Sequence, residues 1–153
     1  MSRVFIGIGS NEGDRLTNIS AAVKALGTMK GVRVVQMATI IETEPVGGPP
    51  QEPYLNTVVE LETGIPPLEL LKNLQEIERE LGRLPSAVRW GPRPIDLDML
   101  LYGERIVDQP GLQIPHPRLH GRRFVLEPLA QLAPDFAHPI LRHTIQELLL
   151  SHV

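Results

Sequence analysis

Arg89, Arg93, Asp96 and Asp98 stand within ten residues of one another, in the stretch RWGPRPIDLDMLL from Arg89 to Leu101. Ile95, Leu97, Met99 and Leu101 alternate with the two aspartates, and a period of two predicts a strand. On a strand, residues i and i+2 share a face, so the carboxylates start from α-carbons roughly 6 to 7 Å apart. Two anions held that close suppress each other's ionisation unless a cation lies between them. Hard oxygen ligands on a rigid strand suit Mg²⁺, which takes one or two carboxylates and completes its shell with water and phosphate oxygens. The two arginines flank a Trp-Gly-Pro loop, and guanidinium groups grip phosphate oxygens as a fork. Alone, Asp-x-Asp is also what the solvated face of an edge strand carries; the arginines, tryptophan and turn beside it point to polyphosphate chemistry.

Other elements must position this strand. Val4 to Gly9 reads as a buried strand running into Gly-Ser-Asn-Glu-Gly, and Gly7-x-Gly9 is no dinucleotide fingerprint because Glu12 takes the place of the third glycine. Leu16, Ile19, Val23 and Leu26 follow an Asp14 N-cap at helical spacing, with Gly27 at the far end. Val32 to Thr43 and Tyr54 to Thr63 are β-rich, joined by a stiff loop from Glu44 to Pro53 with four prolines and two glycines. Tyr54 and Asn56 share a strand face, an aromatic ring and a carboxamide suited to a flat heterocycle with donor and acceptor edges. Pro66 to Leu81 is the clearest helix, with a Leu68, Leu71, Leu74, Ile77 and Leu81 stripe, prolines in the first turn and Gly82 at the C-cap. Gln75 and Glu78 share a face of it.

The order strand, helix, strand, strand, helix, strand predicts an α+β fold with a ferredoxin-like βαββαβ core, an antiparallel sheet with helices packed on one face. C-terminal additions follow: a short strand near Ile106, a loop around His116, and helices over Phe124 to Leu132 and Thr144 to Leu150. His116 and His120 are four apart, but the prolines flanking His116 break a helix there, so a zinc pair is rejected.

The chain of 153 residues is read as a single domain over 1–153, with ordinary globular values of 42% hydrophobic and 22% charged residues. A net charge of −3 argues against a nucleic-acid partner, yet seven of the fifteen Lys and Arg lie between Arg83 and Arg123, all of them arginine. Cysteine is absent, which excludes disulfides and thiolate metal sites. No apolar run is long enough for a signal peptide or a membrane span, so the cytoplasm is the expected location and no membrane partner is expected.

The run Trp90-Gly91-Pro92-Arg93-x-x-Asp96-Leu97-Asp98 resembles the signature of the 6-hydroxymethyl-7,8-dihydropterin pyrophosphokinase family. FIGIGSN near the start, ETEPVGGPPQEPYLN from Glu42 to Asn56, and IPHPRLHGRRFVLEPL from Ile114 to Leu129 are similar to the same family in order and spacing. The resemblance implies a ferredoxin-like fold and an enzyme of folate biosynthesis that transfers the diphosphate of ATP to 6-hydroxymethyl-7,8-dihydropterin, leaving AMP. It implies two Mg²⁺ ions on Asp96 and Asp98, and phosphate contacts from Arg83, Arg93, His116 and Arg122. It further implies that Thr43, Val46 and Asn56 hydrogen-bond the pterin while Tyr54 and Phe124 sandwich its ring. Trp90 would sit on a loop that closes over the site, and Gln75 and Glu78 on the nucleotide side. Between Gly82 and Trp90, where many relatives carry further basic residues, Leu84 to Val88 is uncharged, so closure is expected to lean on fewer charges. The expected partners are the two small substrates, and a monomer is expected. A ferredoxin-like sensor would have no need of an aspartate pair facing arginines. A nucleic-acid module would need aromatics displayed on the sheet, and the chain has only six.

Overall fold

A computed structural model describes residues 1–44, 48, 50–83 and 92–152. In chain order these form β1 (Ser2–Ser10), α1 (Arg15–Thr28), β2 (Val32–Met37), β3 (Ile41–Thr43), β4 (Tyr54–Thr63), α2 (Pro67–Glu80), β5 (Asp96–Tyr102), β6 (Val107–Gln109), β7 (Leu112–Ile114), α3 (Arg123–Leu132) and α4 (Ile145–Ser151). The fold is mixed α/β; among the described residues it has four α-helices and an antiparallel sheet ordered β2-β4-β1-β5. The strand expected from Val32 to Thr43 is split in two. Both halves pair with β4, and between them the Ala38 N–H bonds the Val58 carbonyl while the Thr57 hydroxyl bonds the Ala38 carbonyl.

Strand alternation sorts the core into two layers. Val4, Ile6 and Ile8 of β1 pack with Ile19, Ala22 and Leu26 of α1 and with Leu70, Leu74 and Ile77 of α2. Phe5 points the other way, into a cluster with Val58, Leu100, Leu126 and Leu129 of α3, and Ile145 of α4. The sheet is therefore covered by α1 and α2 on one face and by α3 and α4 on the other.

Local signals explain the helix ends. Asp14 caps α1 by accepting the Thr17 N–H, Pro67 opens α2, and Gly82 follows its end at φ 101°, a conformation that side chains disfavour. Thr144 and Glu147 form a reciprocal capping box on α4. The expected stripes shift by one or two positions. In α1 the buried residues are Ile19, Ala22 and Leu26, and Leu16 is exposed. In α2 Leu70 replaces Leu68, which is exposed, at the centre of the apolar face. On β5 the alternation breaks at Leu100, where the register with β1 shifts between Phe5 and Ile6. Leu100 and Leu101 both enter the α3/α4 layer as a result, and Tyr102 returns to the α1/α2 layer. Among the described residues no helix is long and apolar enough to cross a membrane.

Candidate active site

The α3/α4 face of the sheet is left open at one end, and glycines make the floor there. Gly9 pairs with Asn56 of β4 on one side and Asp96 of β5 on the other; Gly7 pairs with Val58 and Asp98 in the next row. A Cβ on Gly9 would lie 2.8 Å from Asn56 Oδ1 and 3.4 Å from Tyr54 Cδ1, whereas one on Gly7 would make ordinary contact with Leu100 at 3.5 Å. Gly9 is thus the position that must stay small. Above this floor is a cavity of about 200 Å³, walled by the start of α3 and by the side chains of β4 and β5.

One end of the cavity sets aromatic rings beside polar side chains. Thr43 on β3 pairs with Tyr54, and the Asn56 Nδ2 donates to the Thr43 hydroxyl. Tyr54 and Phe124 both line the cavity, and the Arg122 guanidinium lies 5.5 Å from the centre of the Phe124 ring. Burial, with Asp96 adding to it, pushes the Tyr54 phenol above its ordinary value, so it stays neutral.

The other end is charged. Asp96, Asp98, Arg83, Arg93 and Arg122 all line it. Arg83 Nη1 is 2.8 Å from Asp96 Oδ1 and 2.6 Å from Glu78 Oε2. Burial above all, and then the charge of Asp96, raises the Asp98 carboxyl to about 7, with Arg122 pulling the other way. A carboxylate pair so placed is electrostatically incomplete, and a further cation would relieve it.

A second cavity of about 620 Å³ opens on the far side of Asp98, between α2, β5 and the β6–β7 hairpin. Leu71, Leu97, Met99 and Leu112 give it apolar walls, and His116 stands at its edge. Burial, reinforced by Arg122 and Arg118, lowers the His116 imidazole to about 4, so the ring is neutral at ordinary pH. Its Nδ1 accepts the Arg118 N–H at 3.1 Å, which leaves the ring proton on Nε2 as a donor. His120 is exposed and packs edge-on to His138, with ring centres 6.4 Å apart. Asp98 lines both cavities.

Comparison with known proteins decides what this arrangement belongs to. The model of the family 7,8-dihydro-6-hydroxymethylpterin-pyrophosphokinase (HPPK) matches residues 5–134. The chain belongs to this family. A 2-amino-4-hydroxy-6-hydroxymethyldihydropteridine pyrophosphokinase from Pseudomonas aeruginosa is 42% identical over 99% of this chain and 92% of its own length. A protein of the same name from Bacillus subtilis is 46% identical over 84% of this chain and 76% of its own. Among solved structures, the Plasmodium falciparum HPPK-DHPS with pteroate superposes with a TM-score of 0.78 at 14% identity. That match covers 97% of this chain but only 42% of the longer Plasmodium chain, and it speaks for the fold alone.

Of the positions that the HPPK resemblance singles out, Thr43, Tyr54, Asn56, Arg83, Arg93, Asp96, Asp98, Arg122 and Phe124 converge on the first cavity. His116 stands at the second. Gln75 is exposed on α2 and lines neither cavity. Glu78 is 9% exposed and also lines neither; its carboxylate takes the Arg83 guanidinium and the Leu97 N–H. Val46 and Trp90 lie outside the described residues.

Asn11 is a residue that the sequence did not single out. It is 2% exposed, and its Nδ2 donates to Gln51 Oε1 at 2.6 Å and to the Glu52 carbonyl at 3.0 Å. Its Oδ1 accepts the Arg93 N–H at 2.8 Å while its own N–H donates to the Arg93 carbonyl at 3.0 Å. One side chain thus ties the end of β1 to the proline-rich loop and to the arginine that precedes the aspartate strand. The only sequence signal is an amide placed directly after a buried strand, which ordinarily marks a turn.

Proposed function

We propose that this HPPK-family protein transfers the diphosphate of ATP to the hydroxymethyl oxygen of 6-hydroxymethyl-7,8-dihydropterin, giving AMP and the pterin diphosphate in folate biosynthesis. The observation that carries the reading is the position of Asp98, which lines both the smaller cavity over the glycine floor and the larger cavity beside the β6–β7 hairpin. A heterocycle in one and a nucleotide in the other meet at the aspartate strand.

The residues present fit divalent cations. Two carboxylates share a strand face, and the Asp98 carboxyl is raised first by its burial and then by the charge of Asp96, a setting that a bound cation would relieve. Among the described residues no three His, Cys, Asp or Glu side chains gather into a complete shell. That donor set suits Mg²⁺, which fills its remaining positions with water and substrate phosphate. In this reading Asp96 and Asp98 hold two Mg²⁺ ions, which when bound neutralise the charge that develops on the transferring phosphates. Arg83, Arg93 and Arg122 gather the phosphate oxygens, and the neutral His116 donates from Nε2. Thr43, Val46 and Asn56 hold the polar edge of the pterin, while Tyr54 and Phe124 fix its plane. Gln75, Glu78 and Trp90 stay assigned to the nucleotide side by resemblance. The protein's work is positioning and electrostatic neutralisation rather than covalent catalysis.

The fold is read as ferredoxin-like, in support of which β1, α1, β2, β4, α2 and β5 follow the βαββαβ order, with β3 as an insertion beside β4. Residues 1–153 are taken as one domain that acts as a cytoplasmic monomer, without a nucleic-acid or membrane partner. A coupled assay for AMP, run with Mg²⁺ and ATP in the presence and absence of the pterin, tests the function. AMP that appears only with the pterin supports it; AMP release indifferent to the pterin rejects it.

A further inference from the structure

Nη1 of Arg83 stands between two carboxylates, 2.6 Å from Glu78 Oε2 and 2.8 Å from Asp96 Oδ1. Glu78 is fixed independently of this contact. The same Oε2 accepts the Leu97 N–H at 2.8 Å, and the Glu78 backbone carbonyl accepts the Arg83 N–H at 3.0 Å. β5 ends the strand order, so Glu78 covers a hydrogen-bonding group on the sheet's edge while gripping Arg83 at two points. It does this from α2, whose apolar residues pack on the sheet face opposite the site. A side chain with this setting anchors its neighbours on the nucleotide side of the site.

We propose that Arg83 is the resident counter-ion of Asp96, held there by Glu78, and that a divalent cation binding the aspartate pair must displace it. The guanidinium is permanently charged and competes for the same Oδ1 oxygen. Glu78 retains the displaced group within reach of the site, so that it turns from Asp96 towards an arriving phosphate instead of into water. Two consequences follow. The free protein binds divalent cations weakly, and a nucleotide strengthens that binding by giving Arg83 another anion to hold. Nucleotide and cation are thereby coupled through one side chain, in addition to their direct contact.

The inference rests on Asp96 and Asp98 being cation ligands, and the test separates the two ideas. Mn²⁺ is titrated into the full chain without nucleotide or pterin, and binding is read by electron paramagnetic resonance, with urea melts confirming that each variant is folded. Arg83→Ala is expected to bind Mn²⁺ at least about tenfold more tightly than the parent, because an opposite charge against a carboxylate biases it by one or more pK units. Glu78→Gln keeps an acceptor for the Leu97 N–H but leaves Arg83 to Asp96 alone, and it should bind Mn²⁺ more weakly than the parent. A merely structural role for Glu78 would not move the two variants in opposite directions. Adding Asp98→Asn to Arg83→Ala should abolish the gain. Equal affinity in the parent and Arg83→Ala, with the Asp98→Asn loss intact, overturns the counter-ion role and leaves the metal site standing. Binding indifferent to Asp98→Asn removes the metal assignment itself, and the proposal falls with it.

Discussion

Asn56 and Asp96 face each other across Gly9, each paired with it from an adjacent strand. Two strand spacings, about 10 Å, therefore separate the amide expected to read the heterocycle from the first of the two carboxylates. The sheet itself sets the distance between recognition and chemistry, and the missing side chain at Gly9 is what leaves the space between them.

Gly9→Ala should weaken pterin binding while sparing ATP. The added Cβ would sit 2.8 Å from Asn56 Oδ1 and forces that side chain to move. A heterocycle edge left unpaired costs about 1 to 3 kcal/mol, or roughly fivefold to 150-fold in affinity. Calorimetry with each ligand checks this, and equal losses for both would mean that the two compartments are not separate.

Asp96→Ala and Asp98→Ala should each keep the fold and lose most activity. Both side chains project onto the open sheet face rather than into either apolar cluster. Loss of an anchor for the transferring diphosphate is expected to cost several kcal/mol of transition-state stabilisation, roughly a hundredfold or more in kcat. Near-normal turnover at low Mg²⁺ in either variant would refute the assignment.

Asn11→Ala should destabilise the protein by about 1 to 3 kcal/mol, because it strips the Arg93 N–H of its partner in a buried setting. Urea unfolding reads the loss directly. A change within about 0.5 kcal/mol, the range of ordinary surface substitutions, would show that the staple is dispensable.

His116 makes the protein sensitive to acid. The imidazole falls from its ordinary 6.5 to about 4 in the folded chain, so between these values the unfolded chain binds the extra proton. Stability is then complete above pH ~6.5 and declines as pH falls towards ~4. His116→Gln should lose less stability than the parent between pH 7.5 and pH 4.5 in urea melts. An identical acid response in the two proteins would show that the ring is not held neutral.

Much of this site was legible in the residues. The alternation around Asp96 and Asp98 identified the strand and its face, because period two is a local property of the chain. Tyr54 and Asn56 were legible for the same reason. The floor was not: Glu12 in place of a third glycine rules out a dinucleotide fingerprint, but what Gly7 and Gly9 do instead depends on their pairing with β4 and β5. Asn11 was hidden because its partners lie 40 and 82 residues away. The bulge at Leu100 leaves no local mark in a run of apolar residues. In α2, leucines at 68, 70, 71 and 74 spread over an arc of about 160°, and only packing against the sheet decides that Leu70 is buried and Leu68 exposed.

The diphosphate transfer is tested most directly by a ³¹P NMR record of the reaction with ATP, Mg²⁺ and 6-hydroxymethyl-7,8-dihydropterin. AMP and a pterin diphosphate should form in equal amounts, with the two phosphorus signals of the diphosphate coupled to each other, the AMP signal uncoupled, and no orthophosphate formed. Asp98→Ala should leave the ATP spectrum unchanged over the same time. Formation of ADP with a pterin monophosphate, or of ADP and orthophosphate without the pterin being modified, would contradict it.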